Sequence, residues 1–180
     1  MLTLPAKCAR KSGGFTLIEL VITITVLAIA LMIGLPSFQD WIRNAQIRTA
    51  AESIKNGLQM ARLEAIKSNT PVIFSLVNDG STFWQIVDVR TDNTLQESTE
   101  KFNQVTIRPT PGSDFAFNGL GRQWTTKIGA KSPPDAAIAS VDVSLPTVPN
   151  TRPLTVTVTA GGSVRLCDPA VHTSGDPRKC

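Results

Sequence analysis

A chain of 180 residues is long enough for one domain with one modest core, and 42% hydrophobic residues exclude an intrinsically disordered chain. The net charge of +4 gives little reason to expect a nucleic-acid partner, because the excess sits at one end. Lys7, Arg10 and Lys11 stand among residues 1–14, which contain no acid, and the remainder is near neutral.

The first predicted element is an apolar run, FTLIELVITITVLAIALMIGL at 15–35, 21 residues with Glu19 as its only charge. As a helix it is long enough to cross ~30 Å of hydrocarbon. A cleaved secretory signal would have a shorter core and a small-residue cleavage site after it; here Asp40, Trp41 and more helical pattern follow. A plain signal anchor fits the length and leaves Glu19 unexplained. A third reading places a cut before the run, after Gly14. The basic leader then stays in the cytoplasm and the bulk of the chain faces outward. Gly13 and Gly14 offer a protease an extended backbone free of side chains. Cleavage leaves an ammonium on Phe15; a carboxylate in hydrocarbon is costly unless paired or protonated, and that ammonium on a neighbouring chain is a chemically suitable partner.

The segment KSGGFTLIEL at 11–20 resembles the type III signal of type IV pilins and type II secretion pseudopilins. The resemblance implies that a membrane prepilin peptidase cuts after Gly14 and N-methylates Phe15. It also implies that Glu19 assists subunit docking in a filament. The chain would be held in the inner membrane by a single span, with its C-terminal domain in the periplasm. Its partners would be the peptidase, the membrane and other pilin or pseudopilin subunits.

Gly34 and Pro36 interrupt the helical pattern, and Pro36 is expected to kink or loosen the helix. Beyond them Ile47, Ala51, Ile54, Leu58, Ala61 and Ala65 recur every three or four residues as one apolar stripe. Arg43, Arg48, Glu52, Lys55, Arg62 and Lys67 fall mostly on other faces, and Asn69, Thr70 and Pro71 end the element. A helix over 15–67 would be roughly 80 Å long.

After Pro71 the sequence turns to short β-branched and aromatic runs separated by turn residues. Strands are predicted at 72–77, 83–90, 102–108, 114–118, 141–145, 154–160 and 163–167, with hairpin turns at Asn78–Gly80 and Gly161–Gly162. LTVTVTA at 154–160 alternates strictly, which predicts one wet face. Residues 121–140, with Gly121, Gly129, Pro133 and Pro134, read as a long loop. The fold class is α+β: a long N-terminal helix, its first half transmembrane, packed on a C-terminal antiparallel sheet domain. The organisation is a leader at 1–14, a membrane or filament-core helix at 15–35, an amphipathic extension at 36–70 and a head at 71–180.

Two of the three cysteines, Cys167 and Cys180, lie close together, and only Cys8 lies in the leader. In an oxidising compartment the two would pair; free thiols are the alternative. FAFNGLGR at 115–122, the long loop and LTVTVTAGGSVRLC at 154–167 resemble the GspH/FimT branch of the same family. The ending CDPAVHTSGDPRKC resembles its FimT-like minor pilins in flanking a polar loop with two cysteines.

No catalytic or ligand set is present. His172, the only histidine, sits in a polar tail, and no zinc spacing, P-loop or GxGxxG occurs. The chain is read as neither an enzyme nor a cofactor protein, and Trp41, Trp84 and Trp124 as core or interface anchors. A basic patch is the remaining candidate. Arg165, Arg178 and Lys179 flank the cysteine pair, while Arg108, Arg122, Lys127 and Lys131 share a stretch whose only acid is Asp114. Were these loops to meet, they would offer contacts to DNA phosphates. Some FimT-like proteins are DNA receptors, but here Ser163 stands where a second arginine of a G-R-x-R pair would be, and Asp168 and Asp176 dilute the charge. The expected function is a minor pilin-like subunit of a type IV pilus. The alternatives are the pseudopilin H subunit of a type II secretion system and a pilus-associated DNA receptor.

Overall fold

A computed structural model describes residues 14–77, 84–98, 104–125, 132–134 and 137–180. The leader before Gly14, the predicted turn at Asn78–Gly80, and Lys127, Gly129 and Lys131 lie outside the described residues. The chain divides into two compact units, Met1–Gln39 and Asp40–Cys180.

One helix, α1 (Leu17–Ser68), accounts for the described N-terminal half, and the helical assignment continues through Gly34 and Pro36. Pro36 has no N–H to donate, so one bond of the i to i−4 ladder is missing there. The helix ends on Asn69, whose positive φ of 49° is the left-handed C-terminal conformation that Asn tolerates. Asn69 N–H and Thr70 N–H then reach back to the carbonyls of Ile66 and Ala65, at 3.3 Å each.

The second unit is built from the stripe upward. Ile47, Ala51, Ile54, Leu58, Ala61 and Ala65 are all fully buried, joined by Ala50. Against them lie the inner faces of two antiparallel four-stranded sheets, where one sheet region was expected. The first has the order β3-β2-β1-β5, with β1 (Val72–Leu76), β2 (Trp84–Asp88), β3 (Thr94–Glu97) and β5 (Asp114–Phe117). The second has the order β4-β6-β7-β8, with β4 (Thr106–Thr110), β6 (Ser140–Ser144), β7 (Leu154–Val158) and β8 (Val164–Cys167). Period-two alternation points Val72, Phe74 and Leu76 of β1, Val141 and Val143 of β6, and Val156 and Val158 of β7 into the same cluster. Gly57 lets a ring approach the helix: a Cβ there would lie 2.7 Å from Phe74 and 2.9 Å from Trp84.

Four features differ from the sequence reading. Strand β3 went unpredicted: it is a short polar edge, exposed at every position, paired to β2 across a register shift at Ile86/Val87. Strand β4 sits further along than 102–108 and runs through Pro109, which an edge strand accommodates because one row of its amides faces no partner. The predicted wet face of β7 is closed at Thr155, which is buried and donates its hydroxyl to Asp142 Oδ1 at 2.7 Å. Its neighbour on the other side is Cys167, at the root of the C-terminal tail. Finally, the start of the predicted long loop is tied down. Gln123 bridges Phe117, and Trp124 N–H bonds Ala116 C=O at 2.8 Å, so Trp124 covers Ile73, Val89 and Ala116 in a second small apolar cluster. The predicted Gly161–Gly162 hairpin joins β7 to β8; Gly162 takes a φ of 77°, and a side chain there would meet the Gly121 carbonyl.

Candidate functional site

At the N-terminus, Gly14, Phe15 and Thr16 have no regular structure, and α1 begins at Leu17. Thr16 is the reason. Its Oγ1 accepts the Glu19 N–H at 3.3 Å and its carbonyl accepts the Leu20 N–H at 3.1 Å, which makes it an N-cap. The Thr-x-x-Glu pattern at 16–19 is the sequence signature of a capping box, the local signal from which this cap is legible. Glu19 stands in the first turn, where a carboxylate is favourable beside the unpaired amides. Phe15 is 84% exposed.

Past Glu19 the helix presents apolar side chains on all sides. Leu20, Val21, Ile22, Ile24, Val26, Leu27, Ile29, Leu31 and Met32 are all exposed in the single chain. An apolar surface of this extent marks a surface made to be covered by protein or lipid. The helical stretch with described side chains runs unbroken from Leu17 to Met32, about 24 Å at 1.5 Å per residue. Among the described residues, no helix is long and apolar enough to cross a membrane.

At the C-terminus, Cys167 and Cys180 form a disulfide with their Cα atoms 5.1 Å apart, closing a loop across a sequence separation of 13. Inside the loop Asp168 N–H bonds Arg178 C=O at 2.7 Å, and Asp168 bridges Lys179. Arg178 holds Asp176 with two nitrogens, Nε to Oδ1 at 3.1 Å and Nη2 to Oδ2 at 2.8 Å. Those side-chain bonds, with the Arg178 backbone amide, lower the Asp176 carboxyl from its ordinary 3.8 to about 2. The folded value lies below the unfolded one, so the pair supports the tail fully above the unfolded value and is lost as pH falls through the folded one. An NMR titration of Asp176 should give a midpoint near 2; a midpoint near 3.8 would mean that the pair does not persist in solution.

The basic candidates are only partly brought together. Arg165, exposed on β8, donates to Pro177 C=O at 3.4 Å and so shares the tail with Arg178 and Lys179. Arg122 stands at the other end of β8, in a shallow recess with Ala160 and Gly161. Arg108 lies on β4, the opposite edge of the sheet from β8, three strand spacings or roughly 14 Å away. His172 is exposed. Of the tryptophans, Trp84 is buried and donates to Ser53 Oγ at 3.2 Å, Trp124 is buried, and Trp41 is 65% exposed.

Sequence reasoning also missed a recess in the head of about 360 Å³. Asn44 and Arg48 of α1 form one wall, Arg152, Leu154 and Leu166 another, and the tail residues Asp168 and Arg178 close it.

Known proteins give these features a setting. The family model described as type II transport protein GspH matches residues 50–172, and the prokaryotic N-terminal methylation motif matches residues 9–35. A type IV major alpha-pilin of Moraxella bovis is 30% identical over 124 residues, covering 69% of this chain and 73% of that protein. A fimbrial protein of Moraxella nonliquefaciens is 42% identical over 52 residues, 27% of this chain and 34% of its own. Among solved structures, the type IV minor pilin FimU of Pseudomonas aeruginosa aligns with a TM-score of 0.52 at 14% identity, over 68% of this chain and 88% of its own, a likeness of fold. Pilins and pseudopilins are structural subunits, not enzymes. With the methylation motif at one end, the GspH match over most of the head and a helix packed on antiparallel strands between them, the chain belongs to the type IV pilin-like GspH/FimT family.

Proposed function

We propose that the chain is a minor subunit of a type IV pilus, made as a precursor, cut after Gly14, N-methylated on Phe15 and anchored in the inner membrane with its head in the periplasm until it joins the filament. The observation that carries this reading is the join at residues 14–17. An uncoiled, exposed Gly14–Phe15 bond lies directly ahead of a capped helix that is apolar on all sides past Glu19. A peptidase needs the first, and a filament core or lipid needs the second. Glu19 would dock on the Phe15 ammonium of a neighbouring subunit.

Intact mass and N-terminal sequencing of the protein from peptidase-positive cells should find N-methyl-Phe15 first; a protein that keeps residues 1–14 there overturns the processing step. Glu19→Ala should still be cut and inserted, with its recovery in sheared filaments reduced at least about tenfold, the effect of a charge pair worth 1.4 kcal/mol or more. Unchanged recovery would remove the docking role.

The GspH model match favours a second reading, a pseudopilin of a type II secretion system. A gene deletion separates the two. Loss of twitching and piliation with exoproteins still secreted supports the pilus, and the reverse supports secretion. Loss of transformation with pili intact would instead support DNA uptake through Arg122, Arg165, Arg178 and Lys179. That third reading has weaker support, because Asp176 already occupies the Arg178 guanidinium.

A further inference from the structure

We propose that the recess between Asn44, Arg48, Arg152, Leu154, Leu166 and Arg178 is an acceptor site for an acidic side chain of a neighbouring subunit, flanked in that subunit by apolar residues. The proposal rests on the filament-subunit reading above.

The walls are fixed independently of any ligand. Asn44 Oδ1 accepts the Arg152 backbone N–H at 2.8 Å, which ties the chain entering β7 to the helix. The disulfide ties the tail carrying Arg178 to Cys167, which also lines the recess. Leu154 and Leu166 supply apolar lining, and three guanidinium groups supply donors.

Their donors are unequally used. Arg48 gives only its Nε to Glu52, at 2.9 Å, and Arg178 gives Nε and Nη2 to Asp176. The Arg152 side chain has no hydrogen bond or ion pair among the described residues. Asp168 is the one acid on the wall, and its Oδ1 already accepts the Ala170 N–H at 2.9 Å. One whole guanidinium fork and the spare nitrogens of two others therefore belong to residues that line one mostly apolar hollow. That donor set matches a planar carboxylate held bidentately, with its methylenes against leucine. A hollow of about 360 Å³ admits side chains, and because Arg48, Arg152 and Arg178 are themselves exposed, duplex DNA is the rival ligand that the test includes.

The test uses the full-length chain, ¹⁵N-labelled, in neutral detergent micelles. The probes are N-acetyl-Leu-Glu-Leu-amide, its Gln counterpart and a short DNA duplex. The Glu peptide should shift the Arg152, Arg48 and Arg178 Nε–H signals saturably, and the Gln peptide should not. Arg152→Gln should weaken binding at least about tenfold, Arg152→Lys less, and Arg90→Gln, in the turn after β2, not at all. Unchanged tail amide signals would certify that the Arg152 variants are folded. Equal shifts with both peptides, or none with the Glu peptide at about 10 mM, overturn the proposal. A response to duplex alone also overturns it and gives the recess to DNA. None of these shifts depends on pilus or secretion phenotypes, so the site and the filament reading can fail separately.

Discussion

Phe74→Ala is expected to destabilise the head by about 3–5 kcal/mol and to lower its melting temperature by about 10 °C or more. Phe74 is fully buried at the point where β1 meets the helix. Its ring centroid lies 5.8 Å from that of Trp84, and it fills the space left by the missing side chain of Gly57. That space cannot collapse easily. The helix backbone forms one side, and on the other β1 is paired to both β2 and β5, so neither neighbour can move inward without breaking its ladder. The truncation therefore leaves a cavity and not just lost contact area. Urea unfolding followed by tryptophan fluorescence measures the effect. A loss under about 1 kcal/mol would mean that the helix and the two sheets do not share one core.

Opening the disulfide should have the next largest effect. For a loop of this size the loss is about 3 kcal/mol, with a fall in melting temperature near 10 °C. Cys180→Ser is the cleaner variant, because Cys180 is exposed while Cys167 is buried and a serine hydroxyl there would add its own penalty. The change should be concentrated in one place. Hydrogen exchange should accelerate at the Asp168 and Lys179 amides, whose bonds lie inside the loop, and at Thr155, which pairs with Cys167. It should stay slow at Ile86 and Phe115 in the other sheet. If reducing the native chain leaves both melting and exchange unchanged, the tail is held by its hydrogen bonds and the Asp176–Arg178 pair alone.

What the sequence revealed depended on how far apart the cooperating residues lie. The buried stripe from Ile47 to Ala65 was legible because a helix repeats its face every 3.6 residues. The strands rich in β-branched residues were legible from their period of two. Thr94–Glu97 was not, because an exposed edge strand needs no apolar face and TLQE carries none. The strand predicted at 102–108 ended before Pro109, which is an edge residue, a placement that depends on which strands are neighbours. Thr155 looked wet from its alternation, and its burial with Asp142 on one side and Cys167 on the other depends on which strands are neighbours. The same holds for the sites. Gly14, Phe15 and Glu19 form a contiguous pattern, as does the Thr16 cap. The recess joins Asn44 to Arg152 across a separation of 108 residues, and no local pattern records that meeting.

The unpredicted strand β3 also bears on how closely copies of this molecule can be crowded. An open sheet edge is a template on which another chain can add a strand, and a subunit held at high density would be at risk of fusing through it. Here the edge is four residues long, ends in the carboxylate of Glu97 and is paired out of step at Ile86/Val87, which twists it away from a flat register. Such a rim is a poor seed for cross-β growth, so heads can be packed side by side along β3 without their sheets fusing there.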